Sequence, residues 1–130
     1  MNPELENKIT QLRKGILELA IMGFLYQESH YGYSLVKVLN AGGGLPVKEG
    51  SIYPILQRMM REGLLDAEWV ESQHGPPRKY YHLAAPGKVI YEGLVGEFCR
   101  LVKIVLEPSA VFPVDRTDED SGRNLNIRRR

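Results

Sequence analysis

Apolar residues recur along the first part of the chain at Ile9, Leu12, Ile16, Leu19, Ile21, Phe24 and Leu25. That three-to-four-residue spacing predicts an amphipathic helix from Ile9 to Tyr26. Glu28-Ser29-His30 is a short polar break. The helical period resumes at Tyr31, Leu35, Val36, Val38 and Leu39, a second short helix stopped by the flexible turn Ala41-Gly42-Gly43-Gly44, where consecutive glycines cost too much backbone entropy to stay helical. A third helix is expected from Glu49 to Arg61, closed by Gly63 in a left-handed cap. Its apolar stripe is Ile52, Ile55, Leu56, Met59 and Met60, and its opposite face carries Pro54, Gln57, Arg58 and Arg61, with Ser51 and Tyr53 at the edges. Pro54 has no amide proton and is cheap only in a first turn. Either this helix starts near Gly50 or its first turn is distorted.

The period then changes. Leu65 to Glu71 alternates apolar and charged residues, and Arg78 to Leu83 alternates basic or polar residues with aromatic ones. Two such runs around Ser72-Gln73-His74-Gly75-Pro76-Pro77 predict an antiparallel hairpin with a six-residue loop. A last helix is expected from near Pro86 to about Glu107, with Val89, Ile90, Leu94, Val95, Phe98, Leu101, Val102, Val105 and Leu106 on one broad apolar face. Three short helices have too little surface to cover such a face, so it is expected to be an interface. The alternative is a helix folded back on its own domain. Gly93 and Gly96 weaken this helix in isolation but would let a partner helix approach closely. Pro108 is expected to block further helix, and the polar composition of 108–130 predicts a disordered tail.

Composition narrows the function classes. A length of 130 residues with 43% hydrophobic residues suits one domain with a small core. No apolar run of about 18 residues exists to span a bilayer, so no membrane partner is expected. Met1 to Thr10 is polar and acidic, unlike a secretory leader, and the lone Cys99 has no partner for an internal disulfide. Both lead us to expect a cytoplasmic protein. His30, His74 and His82 are scattered, so neither a metal site nor a cofactor is expected. No paired carboxylates or nucleophile–base set stands out, and Gly42-Gly43-Gly44 lacks the Lys-Ser/Thr of a phosphate loop. An enzyme is therefore not expected.

Helix, helix, helix, hairpin, helix is the element order of a winged helix-turn-helix, a mostly α fold with a small β-hairpin. It divides the chain into a winged domain over 1–84, a C-terminal dimerisation helix over 85–107 and the tail. The formal charge of +1 argues at first against nucleic acid. Its distribution argues otherwise: residues 1–107 hold 12 basic and 12 acidic residues, whereas 72–88 hold Arg78, Lys79 and Lys88 and no acid. Lys48, Arg58 and Arg61 add cations to the third helix. Lys and Arg meet phosphates and set register. Ser51 and Gln57 supply the short or bidentate groups that read base edges, Gln57 pairing with adenine and Arg58 with guanine. Tyr53 suits a phosphate or a thymine methyl. The tip His74-Gly75-Pro76-Pro77-Arg78, stiffened by its prolines, suits a minor groove or flanking backbone. Taken singly, each residue has a plainer role: a solvated arginine pair, a Ser51 cap, a partly buried Tyr53, packed tyrosines and histidines. It is the joint arrangement that points to DNA.

The segments Leu12 to Ile21 (Leu-Arg-Lys-Gly-Ile-Leu-Glu-Leu-Ala-Ile), Tyr31-Gly32-Tyr33-Ser34-Leu35, Glu49-Gly50-Ser51-Ile52-Tyr53-Pro54-Ile55-Leu56, Glu62-Gly63-Leu64 and Gly75-Pro76-Pro77-Arg78-Lys79-Tyr80-Tyr81 resemble the PadR family of transcriptional regulators, in order over roughly 9–107. The resemblance implies a bacterial homodimeric repressor on a pseudo-palindromic operator, released by a small aromatic ligand. It puts Ser51, Tyr53 and Gln57 on the recognition helix and Gly75 to Lys79 on the wing. The single C-terminal helix resembles the short subgroup, where it packs on the partner's first helix. Ile9, Ile16, Leu94, Phe98, Leu101, Val102 and Val105 then fall at the dimer interface, and Leu12, Gly15 and Phe98 at a ligand cavity. One departure is Ala84-Ala85-Pro86, where the family usually has a Thr cap; losing such a cap costs about 1 kcal/mol. The near-neutral total charge keeps a second reading open, a winged-helix protein-interaction module without DNA binding.

Overall fold

The computed structural model describes residues 2–111. The first helix, α1, spans Pro3–Gln27 and begins six residues before the apolar pattern does. The cause is local. The Asn2 side chain accepts from the backbone N–H groups of Glu4 and Leu5, Pro3 stands in the first turn, and Glu4 and Glu6 complement the helix dipole. Helix α2 spans Gly32–Asn40, followed by a hydrogen-bonded 3-10 turn at Ala41–Gly43. Gly42 and Gly43 there take φ of 60° and 75°, which a side chain would resist.

Helix α3 spans Glu49–Arg61, as its pattern requires. Pro54 lies inside the helix, past a first turn that opens with an i→i+3 bond from the Ser51 N–H to the Lys48 carbonyl at 2.9 Å. Gly63, at φ 77°, closes the helix in a Schellman motif. Its N–H donates to the Met60 carbonyl, and that of Leu64 to the Met59 carbonyl, both at 3.0 Å.

Strands β1 (Leu65–Ser72) and β2 (Gly75–Leu83) pair antiparallel. The expected six-residue loop is wrong: only Gln73 and His74 lie between the strands, Gly75 pairs with Ser72, and Pro76 and Pro77 belong to β2. Proline is tolerated in a strand whose N–H side is not needed by the ladder, and a register irregularity between Val70 and Ser72 absorbs the mismatch. A third, one-residue strand was not foreseen. His30 bridges to Tyr81, the two exchanging backbone hydrogen bonds of 3.0 and 2.8 Å.

The core draws Ile21, Met22 and Leu25 from α1, Leu35 and Leu39 from α2, Ile52, Leu56 and Met59 from α3, and Leu65, Tyr81 and Leu83 from the hairpin. Helix α4 spans Ala85–Leu106. Its start has no Ser/Thr cap and is held by tertiary contact instead: the Ala84 N–H donates to the Leu64 carbonyl at 2.9 Å, and Gly87 is buried against that same carbonyl. Pro108 ends α4 but does not end helix, since it opens the short helix α5, Pro108–Val111. The rest of the expected tail, 112–130, lies outside the described residues. The chain falls into two compact units that meet within α4, Met1–Val95 and Gly96 onward. In the first, Val89, Ile90 and Leu94 are exposed on α4; in the second, Phe98, Leu101, Val105 and Leu106 are. The expected architecture, mostly α with a two-stranded hairpin in winged helix-turn-helix order, is what the chain adopts.

Candidate nucleic-acid interface

The exposed side of α3 is placed by what precedes it. The Asn40 side chain donates to the carbonyls of Val36 and Val47 at 2.7 and 3.0 Å and accepts from the Val47 N–H at 3.2 Å. This braces the chain just before α3, so the helix leaves the turn in one direction. Lys48 takes the N-cap position and is exposed, as are Ser51, Tyr53, Gln57 and Arg61. Ser51 is therefore not the cap, and it is exposed, as is Gln57 six residues on.

Tyr53 is more constrained than its exposure suggests. Its hydroxyl donates to the Glu49 carboxylate at 2.8 Å. Desolvation, then that hydrogen bond, pushes its pKa up to about 12. The ring lies against Gly32 so closely that a Cβ there would come within 2.4–2.7 Å of the hydroxyl and ring carbons. A side chain at position 32 would therefore push the Tyr53 ring out of this seat.

Arg58 does not stand free to reach guanine. Its guanidinium is bound to the Glu18 carboxylate of α1 and lies 3.7 Å from Glu62. A helical wheel places Arg58 outward, but the Glu18 side chain of α1 reaches it there.

The wing is also arranged differently from expectation. His74 occupies the turn and Gly75 follows it, both exposed. Arg78 is not at the tip: it pairs with Val70 inside the ladder, and its guanidinium sits 4.6 Å from the centroid of Tyr31, whose ring lies 5.2 Å from that of Tyr80. Among the described residues Arg78 makes no ion pair. Lys79 pairs across the strands with Trp69, its ammonium 5.9 Å from the Trp69 ring and 5.6 Å from that of Tyr81. Between α3 and the wing lies a half-open cleft of ≈ 280 Å3 lined by these groups: Tyr31, Tyr53, Trp69, Pro77, Arg78 and Lys79 among them.

Trp69 was missed as a site residue. It is 68% exposed, on the same face as Lys79. A loop from Ser72 to Pro77 would set Glu71 opposite Arg78; the observed register differs by one and sets Trp69 opposite Lys79. Tyr31 and Gly32 were visible only as part of a motif, without a role.

The histidines have separate environments. His30 is buried, its Nδ1 2.9 Å from the Ser34 hydroxyl and its Nε2 3.8 Å from Glu28, and desolvation lowers its pKa against the pull of Glu28. His82 lies 3.7 Å from Asp66.

Of the residues expected at a dimer interface or ligand cavity, Leu12 is 64% exposed, and a Cβ on Gly15 would meet nothing within 4 Å. Ile9 and Ile16 are half-buried on α1. Phe98, Leu101 and Val105 are exposed and Val102 half-buried on the later part of α4, where Cys99 is also exposed. Among the described residues no group of three or more His, Cys, Asp and Glu side chains is placed to hold a metal ion, and no helix is long and apolar enough to cross a membrane.

Known proteins share this fold. The transcriptional regulator PadR-like family matches residues 21–92, from the buried half of α1 through the first turns of α4. The crystal structure of a PadR family transcriptional regulator from Eggerthella lenta is 31% identical, covers 79% of this chain and 92% of its own, and superposes with a TM-score of 0.69. A PadR-like transcriptional regulator from Bacillus cereus is 36% identical over 81% of this chain and 99% of its own, with a TM-score of 0.67. Bacillus subtilis PadR, solved in complex with operator DNA, is 24% identical over 62% of this chain and 45% of its own, with a TM-score of 0.57, and shares the fold. With its helices, wing and motifs matched over more than half its length, the chain belongs to the PadR-like family of transcriptional regulators, proteins that are not enzymes.

Proposed function

We propose that the protein is a sequence-specific binder of double-stranded DNA. The observation that carries this is the joint exposure of the Ser51–Gln57 face of α3 with Arg61, beside a wing whose Arg78 is unpaired among the described residues. Ser51 and Gln57 offer base-reading groups; Lys48, Arg61, Arg78 and Lys79 offer phosphate contacts, and His74 leads the wing tip. The operator-bound Bacillus subtilis PadR gives the fold a precedent.

The finer reading is a cytoplasmic homodimeric repressor. Two copies joined through the exposed apolar residues of α4, with Ile9 and Ile16 of the partner's α1, would present two recognition helices to a pseudo-palindromic operator. Its half-sites would lie about 34–36 Å apart, one turn of DNA, or a multiple of that. A small aromatic effector lodged near Leu12, Gly15 and Phe98 would release it. The dimer and the effector rest on exposed apolar surface and on family resemblance.

The test is a gel shift against the DNA upstream of the gene at several salt concentrations. Arg78→Ala is expected to lower affinity and to make the slope of log affinity against log salt shallower by about 0.9, the effect of one lost phosphate contact. Absence of sequence-preferring binding at every salt concentration would overturn the proposal and favour a protein-interaction module.

A further inference from the structure

Arg78, which makes no ion pair among the described residues, rests on a residue that does not belong to the wing. Arg78 lies in β2, yet its guanidinium stacks at 4.6 Å on Tyr31, which stands just before α2. Tyr31 is fixed from both sides. Behind it, His30 exchanges two backbone hydrogen bonds with Tyr81 of β2. Ahead of it, the Tyr31 N–H donates to the Ser34 hydroxyl at 3.1 Å, and that hydroxyl donates back to the Tyr31 carbonyl at 2.9 Å. The same carbonyl accepts the Leu35 N–H at 3.0 Å. Tyr80 packs on the Tyr31 ring from the strand side, 5.2 Å centroid to centroid. The platform is therefore tied both to β2 and to the start of α2.

An arginine on an exposed strand samples many rotamers, and an aromatic face restricts them while leaving the guanidinium edge free to donate. Arg58 provides the contrast within the same molecule, because Glu18 and Glu62 occupy its donors. A ring restrains without neutralising. From this juxtaposition we propose that Tyr31 is a positioning residue for DNA binding: it holds the Arg78 guanidinium in its phosphate-contacting orientation and ties the wing's reach to the start of α2. This rests on the DNA-binding reading above.

The experiment is a double-mutant cycle on the full chain, using the DNA fragment that the wild-type protein retains most strongly from a random pool. Tyr31→Phe keeps the ring and is expected to keep wild-type affinity. Tyr31→Leu is expected to lose about fivefold, the scale of one cation–π restraint at a partly exposed site, measured at a temperature where the variant is fully folded, because losing the ring contacts with Arg78 and Tyr80 lowers its melting temperature. In the Arg78→Ala background, Tyr31→Leu is expected to cost nothing further. Losses that multiply in the double variant, or a Tyr31→Leu protein that binds as the wild type does, would overturn the proposal.

A second measurement needs neither DNA nor the Leu variant. The Arg78 δ-methylene protons of the free wild-type and Tyr31→Phe proteins are expected to be shifted upfield by the ring in NMR spectra. Random-coil shifts for those protons would overturn the stacking on which the proposal depends, even if Tyr31→Leu fails to fold. Failure of the wild type to prefer any DNA, with the upfield shift present, would remove the DNA-binding reading and the role of Tyr31 in it while leaving the stacking in place. The two failures are thus told apart.

Discussion

Two arginines expected to face DNA have opposite fates. Arg58 is tied down by Glu18 and Glu62, and Arg78 is stacked on Tyr31 with no ion pair among the described residues. We expect Arg58→Ala to act mainly on stability, by no more than about 1 kcal/mol because the pair is half-exposed, and to reduce DNA affinity less than Arg78→Ala does; thermal melts and gel shifts side by side check this. His30 supplies a pH prediction. Burial lowers its folded pKa below the ordinary 6.5, so the unfolded chain takes up its proton first as pH falls. The stability it contributes is present above 6.5 and is lost as pH drops from there toward the folded pKa. Melting temperatures measured from pH 7.5 to 5.5 are expected to decline, and His30→Gln, which removes the titration, to flatten that decline. Gly32→Ala is expected to push the Tyr53 ring from its seat and to lower DNA affinity by more than its effect on melting suggests.

The elements themselves were largely legible. The bounds of α3 follow from an apolar stripe and a glycine cap, and α2 from its short stripe and glycine stop, because both signals are local. Where the reading failed, the deciding contact was remote or was a backbone matter. Alternation alone could not tell that Pro76 and Pro77 lie in a strand, since an edge without ladder bonds tolerates them. The His30–Tyr81 bridge joins single residues far apart in sequence and leaves no pattern. The Arg58–Glu18 pair joins side chains of two different helices, which no helical wheel contains. At the site, the exposed α3 residues were foreseen, but the aromatic seats of Arg78 and Lys79 were not. The glycines of α4 give a contrast to test. A Cβ at Gly87 would fall 2.1 Å from the Leu64 carbonyl oxygen, a backbone atom that cannot swing aside. Gly87→Ala is therefore expected to destabilise by roughly 1–3 kcal/mol in denaturant titrations. Gly93 has open space around it, so Gly93→Ala is expected to stabilise the isolated chain by up to about 1 kcal/mol. If the same variant weakens self-association, a partner helix passes close to that position.

At the scale of the whole molecule, a net charge of +1 conceals a neutral body whose Lys48 and Arg61 lie at the two ends of α3 and whose Arg78 and Lys79 lie on β2, while the acids of the hairpin, Asp66, Glu68 and Glu71, lie on β1. Such a protein is expected to hold non-specific DNA weakly and to depend on two domains binding together. Replacing Leu101 and Val105, both exposed on α4, with aspartate is expected to yield monomers in sedimentation experiments and to cost most of the operator affinity without lowering the melting temperature of the winged domain. The central claim is that the α3 face and the wing read DNA sequence. The most direct measurement is to sequence the fragments that the purified protein retains from a random pool. Enrichment of two inverted half-sites at a fixed, near-integral number of DNA turns is expected, lost in Gln57→Ala and Arg78→Ala. A retained pool no different from the starting one would contradict it.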